Sequence, residues 1–147
     1  MKLLILVNNY PGEKPSYAER FVHTRVAEYN KVHQCLVVSF KVPADYVFEG
    51  VPVVKLLDEA HFYSLLEEYL PDRILVHFAL KRIIQMLKPV NIKIIVWVHG
   101  YEALGWYRRW FELNVGDIFS LVFVRKLISN LSQQISLRKF IHRSNKT

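Results

Sequence analysis

Two histidines close apolar runs in this chain, and their neighbours set what chemistry each could do. His99 follows Ile92-Lys93-Ile94-Ile95-Val96-Trp97-Val98 and precedes Gly100, Tyr101 and Glu102, while His77 ends Arg73-Ile74-Leu75-Val76. An imidazole donates or accepts a hydrogen bond and takes up a proton near neutral pH. Beside a glycine, which lets a ligand approach the backbone, His99 suits a donor or general-acid role toward a phosphate or a sugar hydroxyl. The plainer alternative is a hydrogen-bonded structural histidine, and a single glutamate such as Glu102 is commonly just solvated. No Cys, Asp or Glu at ligand spacing completes a set around the two histidines, so no metal is expected. Nor is there a Ser-His-Asp, Cys-His or paired-carboxylate pattern, which argues against a self-sufficient hydrolase.

A second candidate lies at the start of the chain. Val7 ends an apolar run, a polar loop at 8–16 holds Pro11, Gly12 and Pro15, and helix signals follow. Strand, loop and helix N-terminus in that order bind phosphate through backbone N–H groups and the helix dipole. The loop has one glycine, Gly12, and matches neither the P-loop nor the dinucleotide fingerprint, so an ordinary connection fits it equally well.

The elements that must position these residues follow from periodicity and punctuation. Strands are expected at 2–7, 33–40, 73–78 and 92–98, with a hairpin over 46–56 that turns at Glu49-Gly50. The 92–98 run should be buried on both faces, and Pro52 should push the second hairpin arm toward an edge. One helix should begin at Ser16 as N-cap, with Glu19 at capping-box spacing and Phe21, Val22, Val26 and Tyr29 facing inward. A second should run from an Asp58 cap to Tyr69, and a third over 79–87 until Pro89 breaks it. Strands alternating with helices imply an α/β fold: a Rossmann-like, mostly parallel sheet with helices on both faces. In such sheets ligands bind at the carboxyl ends of the strands, where both histidines and the first loop belong.

A chain of 147 residues fits one domain, with a sheet core to about residue 100 and a basic, aromatic and helical segment after it. Cys35 falls inside an expected strand and, as the sole cysteine, cannot form an internal disulfide, so a reducing compartment is the natural reading. The first apolar run is too short for a signal peptide, and no apolar stretch approaches the roughly 20 residues that span a bilayer. A cytoplasmic or peripheral protein is expected.

Charge is unevenly placed. Residues 1–107 carry 12 Lys+Arg against 11 Asp+Glu, and residues 108–147 carry 8 against 2, so +6 of the formal +7 sits in the last quarter. That asymmetry suggests contact with nucleic acid or with anionic lipid. Trp106, Tyr107, Arg108, Arg109, Trp110 and Phe111 could stack on bases or sit at head-group depth, or they could form a solvated basic face over a buried aromatic one. No helix-turn-helix, zinc-finger or RNA-recognition signature is present, so nucleic acid is not the expected partner. A long amphipathic helix is expected over 118–143. Val124, Leu127, Ile128, Leu131 and Ile135 share its apolar face, and Arg125, Ser129, Ser132, Ser136, Lys139 and Arg143 lie opposite.

Taken in order, several segments resemble the N-terminal half of a family 4 glycosyltransferase of the GT-B architecture. They are Leu4-Ile5-Leu6-Val7-Asn8-Asn9-Tyr10-Pro11, then Arg20-Phe21-Val22, Phe48-Glu49-Gly50-Val51-Pro52-Val53, Pro71-Asp72-Arg73-Ile74-Leu75-Val76-His77-Phe78 and Val98-His99-Gly100. The resemblance implies a retaining enzyme that moves a sugar from a nucleotide-sugar, its co-substrate, to a glycan or lipid-linked acceptor in surface polysaccharide synthesis. No other cofactor is implied. It gives His99 the catalytic position and brings Pro11, Gly12 and Gly100 to the donor's diphosphate and sugar. Tyr17, Arg20, His77 and Glu102 fall on the acceptor side. It also turns Trp106, Arg108, Arg109, Trp110, Arg125, Lys139 and Arg143 toward an anionic membrane, at the inner face of the cell membrane. An exposed apolar surface on the last segment would allow two copies to pair. The family's nucleotide-binding C-terminal domain is not within these residues, so the chain alone is expected to be inactive. The competing expectation is a non-catalytic α/β binding module with a basic tail that contacts nucleic acid or a protein partner.

Overall fold

Leu3-Leu4-Ile5-Leu6-Val7 has no polar alternate, and such a run is stable only where both faces of a strand are covered. In the computed structural model, which describes residues 1–12, 19–99 and 121–144, it forms the inner strand β1 (Lys2–Val7). The other strands are β2 (Gln34–Ser39), β3 (Tyr46–Phe48), β4 (Val51–Lys55), β5 (Arg73–His77) and β6 (Lys93–Trp97). Their order across the sheet is β3-β4-β2-β1-β5-β6, parallel throughout except for the β3–β4 hairpin. The expected α/β class with a mostly parallel sheet is therefore observed, together with four helices among the described residues.

Alternation sorts the core into two layers. Leu3, Ile5, Val7, Cys35, Val37, Val53 and Leu75 form one buried layer with Val22 and Val26 of helix α1 (Arg20–Asn30). Leu4, Leu6, Val38, Ile74 and Val76, at the alternate positions, point to the other face and are buried as well. The crossover from β1 to β2 moves one way along the sheet, and the one from β4 to β5 moves back. Right-handed connections therefore put α1 and α2 (Glu59–Tyr69) on opposite faces. Helix α2 starts where the sequence indicates. The Asp58 carboxylate accepts from the His61 N–H at 2.8 Å, a cap that contributes about 1 kcal/mol.

Four expectations change. Helix α1 begins at Arg20, with Glu19 as its N-cap in a left-handed conformation, and Ser16 lies outside the described residues. Its buried stripe is Val22, His23 and Val26, whereas Phe21 is 47% exposed: the helix is turned so that His23 reaches partners within the core. Pro52 is on β4, which is an inner strand, and β3 is the edge. Pro52 pairs only with Val47 of β3, and the β4–β2 ladder begins one residue later at Val53, so no donor is missed on that side. β6 is not buried on both faces. Its residues are half-buried or exposed, because only β5 flanks it among the described strands.

Residues 1–78 with 91–97 form one compact unit; residues 79–90 and the C-terminal helix belong to a second. In the second unit α3 (Lys81–Leu87) packs against α4 (Leu121–Ser144), and the Lys81 ammonium donates to the Ser132 hydroxyl at 3.1 Å. The expected apolar face of α4 is turned outward: Ile128, Leu131 and Ile135 are exposed, while Leu137 and Phe140 are buried. The helix carries apolar residues on two sides, and the second of these is the one covered. The side chains of Val124 and Leu127 lie outside those described.

Candidate functional site

The connections leave β1 in one direction to β2 and return to its other side at β5, so the strand order reverses between β1 and β5. Adjacent loops diverge at such a point and leave a crevice at the carboxyl ends of the strands. The residues at those ends are Asn8 to Gly12 after β1 and Phe78 after β5, with the start of α1 beside them.

The loop after β1 is held firmly. The Asn8 carbonyl accepts from the Lys41 N–H at 3.0 Å and from the Ser39 hydroxyl at 3.3 Å, which ties the exits of β1 and β2 together. Tyr10 and Pro11 are buried, and the Tyr46 hydroxyl of β3 donates to the Pro11 carbonyl at 2.5 Å, with the Tyr10 carbonyl at 3.4 Å. Among the described residues, a Cβ at Gly12 would meet the Tyr46 ring, at 3.9 Å, which is ordinary contact. Packing within the chain therefore does not demand a glycine there, in keeping with the missing phosphate-loop pattern.

Glu19 is the residue that sequence reasoning missed as a chemical group. As N-cap it adopts φ 64°, a conformation that costs an L-residue about 1 kcal/mol or more. Burial pushes its carboxyl up to about 7, against the opposing pull of an Asn9 backbone hydrogen bond and of Lys41. One carboxyl oxygen is buried with no hydrogen-bond partner among the described residues. A carboxyl that changes protonation near neutrality can give or take a proton from a bound hydroxyl. Nothing in the local sequence signals it, because desolvation arises only when β1, α1 and the 40s loop converge. Phe78, at φ 57°, is a second non-glycine residue held in the left-handed region at this end of the sheet. Its ring meets Phe21 edge-on at 6.1 Å. Strain of this kind persists where surrounding structure over-determines it, commonly at binding sites.

The other expected residues are distributed as follows. Arg20 is exposed at the first turn of α1, beside Glu19. His77 is fully enclosed and offers a ligand no surface: it stacks on Trp97 at 6.1 Å with the rings 6° apart, and the Arg25 guanidinium covers Trp97 at 4.0 Å. His99 is half-buried two residues past β6. Arg125 and Lys139 are exposed on α4; Arg143 lies in the same helix with its side chain outside those described. Tyr17, Gly100, Glu102, Trp106, Arg108, Arg109 and Trp110 lie outside the described residues. Among the described residues no three His, Cys, Asp or Glu side chains converge to hold a metal ion, and no helix is long and apolar enough to cross a membrane.

The arrangement sets a titrating carboxyl, Glu19, beside the loop after β1, with the exposed Arg20 next to it in sequence. No protein-family model, curated protein or solved structure matches the chain.

Proposed function

We propose that this chain is the acceptor-side domain of a retaining GT-B glycosyltransferase that moves a sugar from a nucleotide-sugar to a glycan or lipid-linked acceptor in surface polysaccharide synthesis. The observation that supports the reading is the reversal of strand order between β1 and β5, with the loop at Asn8 to Gly12 fixed by Tyr46 and with Glu19 and Arg20 adjacent at the start of α1. Carboxylate beside guanidinium is the usual chemistry for gripping sugar hydroxyls, one accepting and the other donating. In this reading Glu19 and Arg20 serve the acceptor and His77 supports them from within the core, whereas the role of His99, which belongs to the second unit, rests on the family resemblance alone. Loop amides around Pro11 and Gly12 approach the departing diphosphate. Catalysis is then positioning and electrostatic stabilisation of the leaving group, which a nucleotide-binding domain beyond these residues must complete.

Membrane contact belongs to the same proposal. Helix α4 holds five Lys or Arg and no acidic residue between 121 and 144. Its exposed Ile128, Leu131 and Ile135 lie among exposed Arg125, Arg138, Lys139 and His142. An apolar stripe with cationic flanks suits the head-group boundary of an anionic bilayer at the inner face of the membrane.

Amide-resolved NMR of the chain, titrated with UDP-glucose, GDP-mannose and octyl glycosides as acceptor mimics, tests the site. Shifts confined to Asn8, Asn9, Gly12, Glu19 and Arg20 are expected. If all three leave those amides unmoved while an oligonucleotide shifts the α4 amides, the binding-module alternative replaces this one.

A further inference from the structure

We infer that Glu49, His23 and Tyr10 form a proton-operated latch through which the β3–β4 turn holds the loop after β1. The inference does not depend on which ligand that loop meets. One residue of the turn breaks a local rule. The hairpin turns through Glu49 at φ 47° and Gly50 at φ 78°, so both central residues are left-handed, as a type I′ turn requires. Asn, Asp or Gly ordinarily fills the first of these positions, and a Glu held there is strained. Its side chain supplies a compensating contact: the Glu49 carboxylate lies 2.9 Å from His23 Nε2.

The chain of contacts continues inward. His23 is buried, with its ring edge-on to Phe48 at 4.7 Å, and its Nδ1 lies 2.8 Å from the Tyr10 hydroxyl. A carboxylate only accepts, so Nε2 carries the ring hydrogen, and Nδ1 is left to accept from Tyr10. Burial, then the neighbouring Tyr46, Cys35 and Glu49, hold the Tyr10 hydroxyl well above the usual tyrosine range, so it keeps its proton to donate. Among the described residues those are the ionisable groups that face the relay from the β1 loop, β2, β3 and the turn; on α1 itself, Arg20 and Glu19 stand one turn away. The hairpin thus grips the loop twice, through Tyr46 on the Pro11 carbonyl and through Glu49 and His23 on the Tyr10 hydroxyl.

A proton from solvent reaches the relay through its exposed end, since the Glu49 side chain is 62% accessible. Protonated at both nitrogens, His23 strengthens its bond to Glu49 but ceases to accept from Tyr10. Tyr10 must then reverse its hydroxyl and accept, which leaves its own buried hydrogen without an acceptor among the described residues. The inner grip on the loop loosens while the turn tightens. Acidification therefore loosens the inner of the two grips on the loop, while Tyr46 keeps its bond to the Pro11 carbonyl.

The experiment is a pH titration of the chain by NMR, reading the His23 ring nitrogens and the backbone amides of Tyr10 and Gly12. It is run in a Glu19→Gln background, so that the other titrating group near the loop stays silent. At about pH 8 the Nε2–H tautomer is expected. On acidification the Tyr10 and Gly12 amides should shift with the same midpoint as His23. Tyr10→Phe should leave the tautomer unchanged and uncouple the loop amides from His23. Glu49→Gln, whose amide oxygen still accepts, should keep the tautomer, and Glu49→Ala should lose its preference. A dominant Nδ1–H tautomer overturns the latch. So does a His23 ring that stays neutral until the protein unfolds, or a pair of loop amides that ignore the His23 midpoint. If Tyr10→Phe or Glu49→Ala fails to fold, the parent titration and Glu49→Gln decide the matter on the same readouts.

Discussion

Glu19 shows how one position can be written in the sequence as a helix signal and used in the fold as a titrating group. Burial raises its carboxyl to about 7 from an ordinary 4.5. The folded chain therefore holds this proton more tightly than the unfolded chain does. Its contribution to stability is full below the unfolded value and is lost as pH rises through the folded one. Urea unfolding should show stability falling between about pH 4.5 and 7, and Glu19→Gln should flatten that slope. Equal slopes in parent and variant would place the titration elsewhere. His77 makes the complementary point. At a strand end it has the sequence context of a ligand-binding histidine, yet stacking on Trp97 spends the ring on packing.

At the scale of elements, punctuation was readable and rotation was not. The Asp58 cap, the Glu49-Gly50 turn and the Pro71 and Pro89 breaks put α2, the hairpin, β5 and α3 where they are found, because each acts through a backbone constraint carried by the residue itself. Which face of a helix turns inward is decided by its neighbours. Helix α1 rotates to bury His23 rather than Phe21, and α4 buries Leu137 and Phe140 rather than Ile128, Leu131 and Ile135. That outward stripe makes a prediction. The chain should co-float with vesicles containing phosphatidylglycerol and not with neutral ones. Ile128→Ser, Leu131→Ser and Ile135→Ser together should cut binding by about a thousandfold or more, since each change removes apolar burial of roughly 1.5–3 kcal/mol from the bilayer contact. Undiminished flotation of the triple variant would move membrane contact off α4, and stripe-dependent pairing of two copies in solution would give it a different occupant.

For the whole molecule, topology concentrates the candidate chemistry. A parallel sheet whose order reverses at β1 and β5 gathers loop ends from distant parts of the chain at the carboxyl ends of its strands, where Asn8, Glu19 and Lys41 meet. The glycosyltransferase reading makes its sharpest prediction at this scale. In the complete two-domain enzyme, His99→Ala should lower turnover by roughly 100-fold, the scale of a lost acid–base or positioning group. Turnover equal to the parent's would remove His99 from the site. The sequence by itself determined the α/β class, the strands and most helix limits, the hairpin turn and the basic last quarter. Those features depend on residue type, short-range spacing and summed charge, all local quantities. The tertiary structure alone decided that β6 is half-exposed, that α4 turns its isoleucines outward, that Glu19 is desolvated and that His23 joins Tyr10 to Glu49. Each of these depends on which surfaces meet across tens of residues, and burial and hydrogen-bond partners exist only once those surfaces have come together.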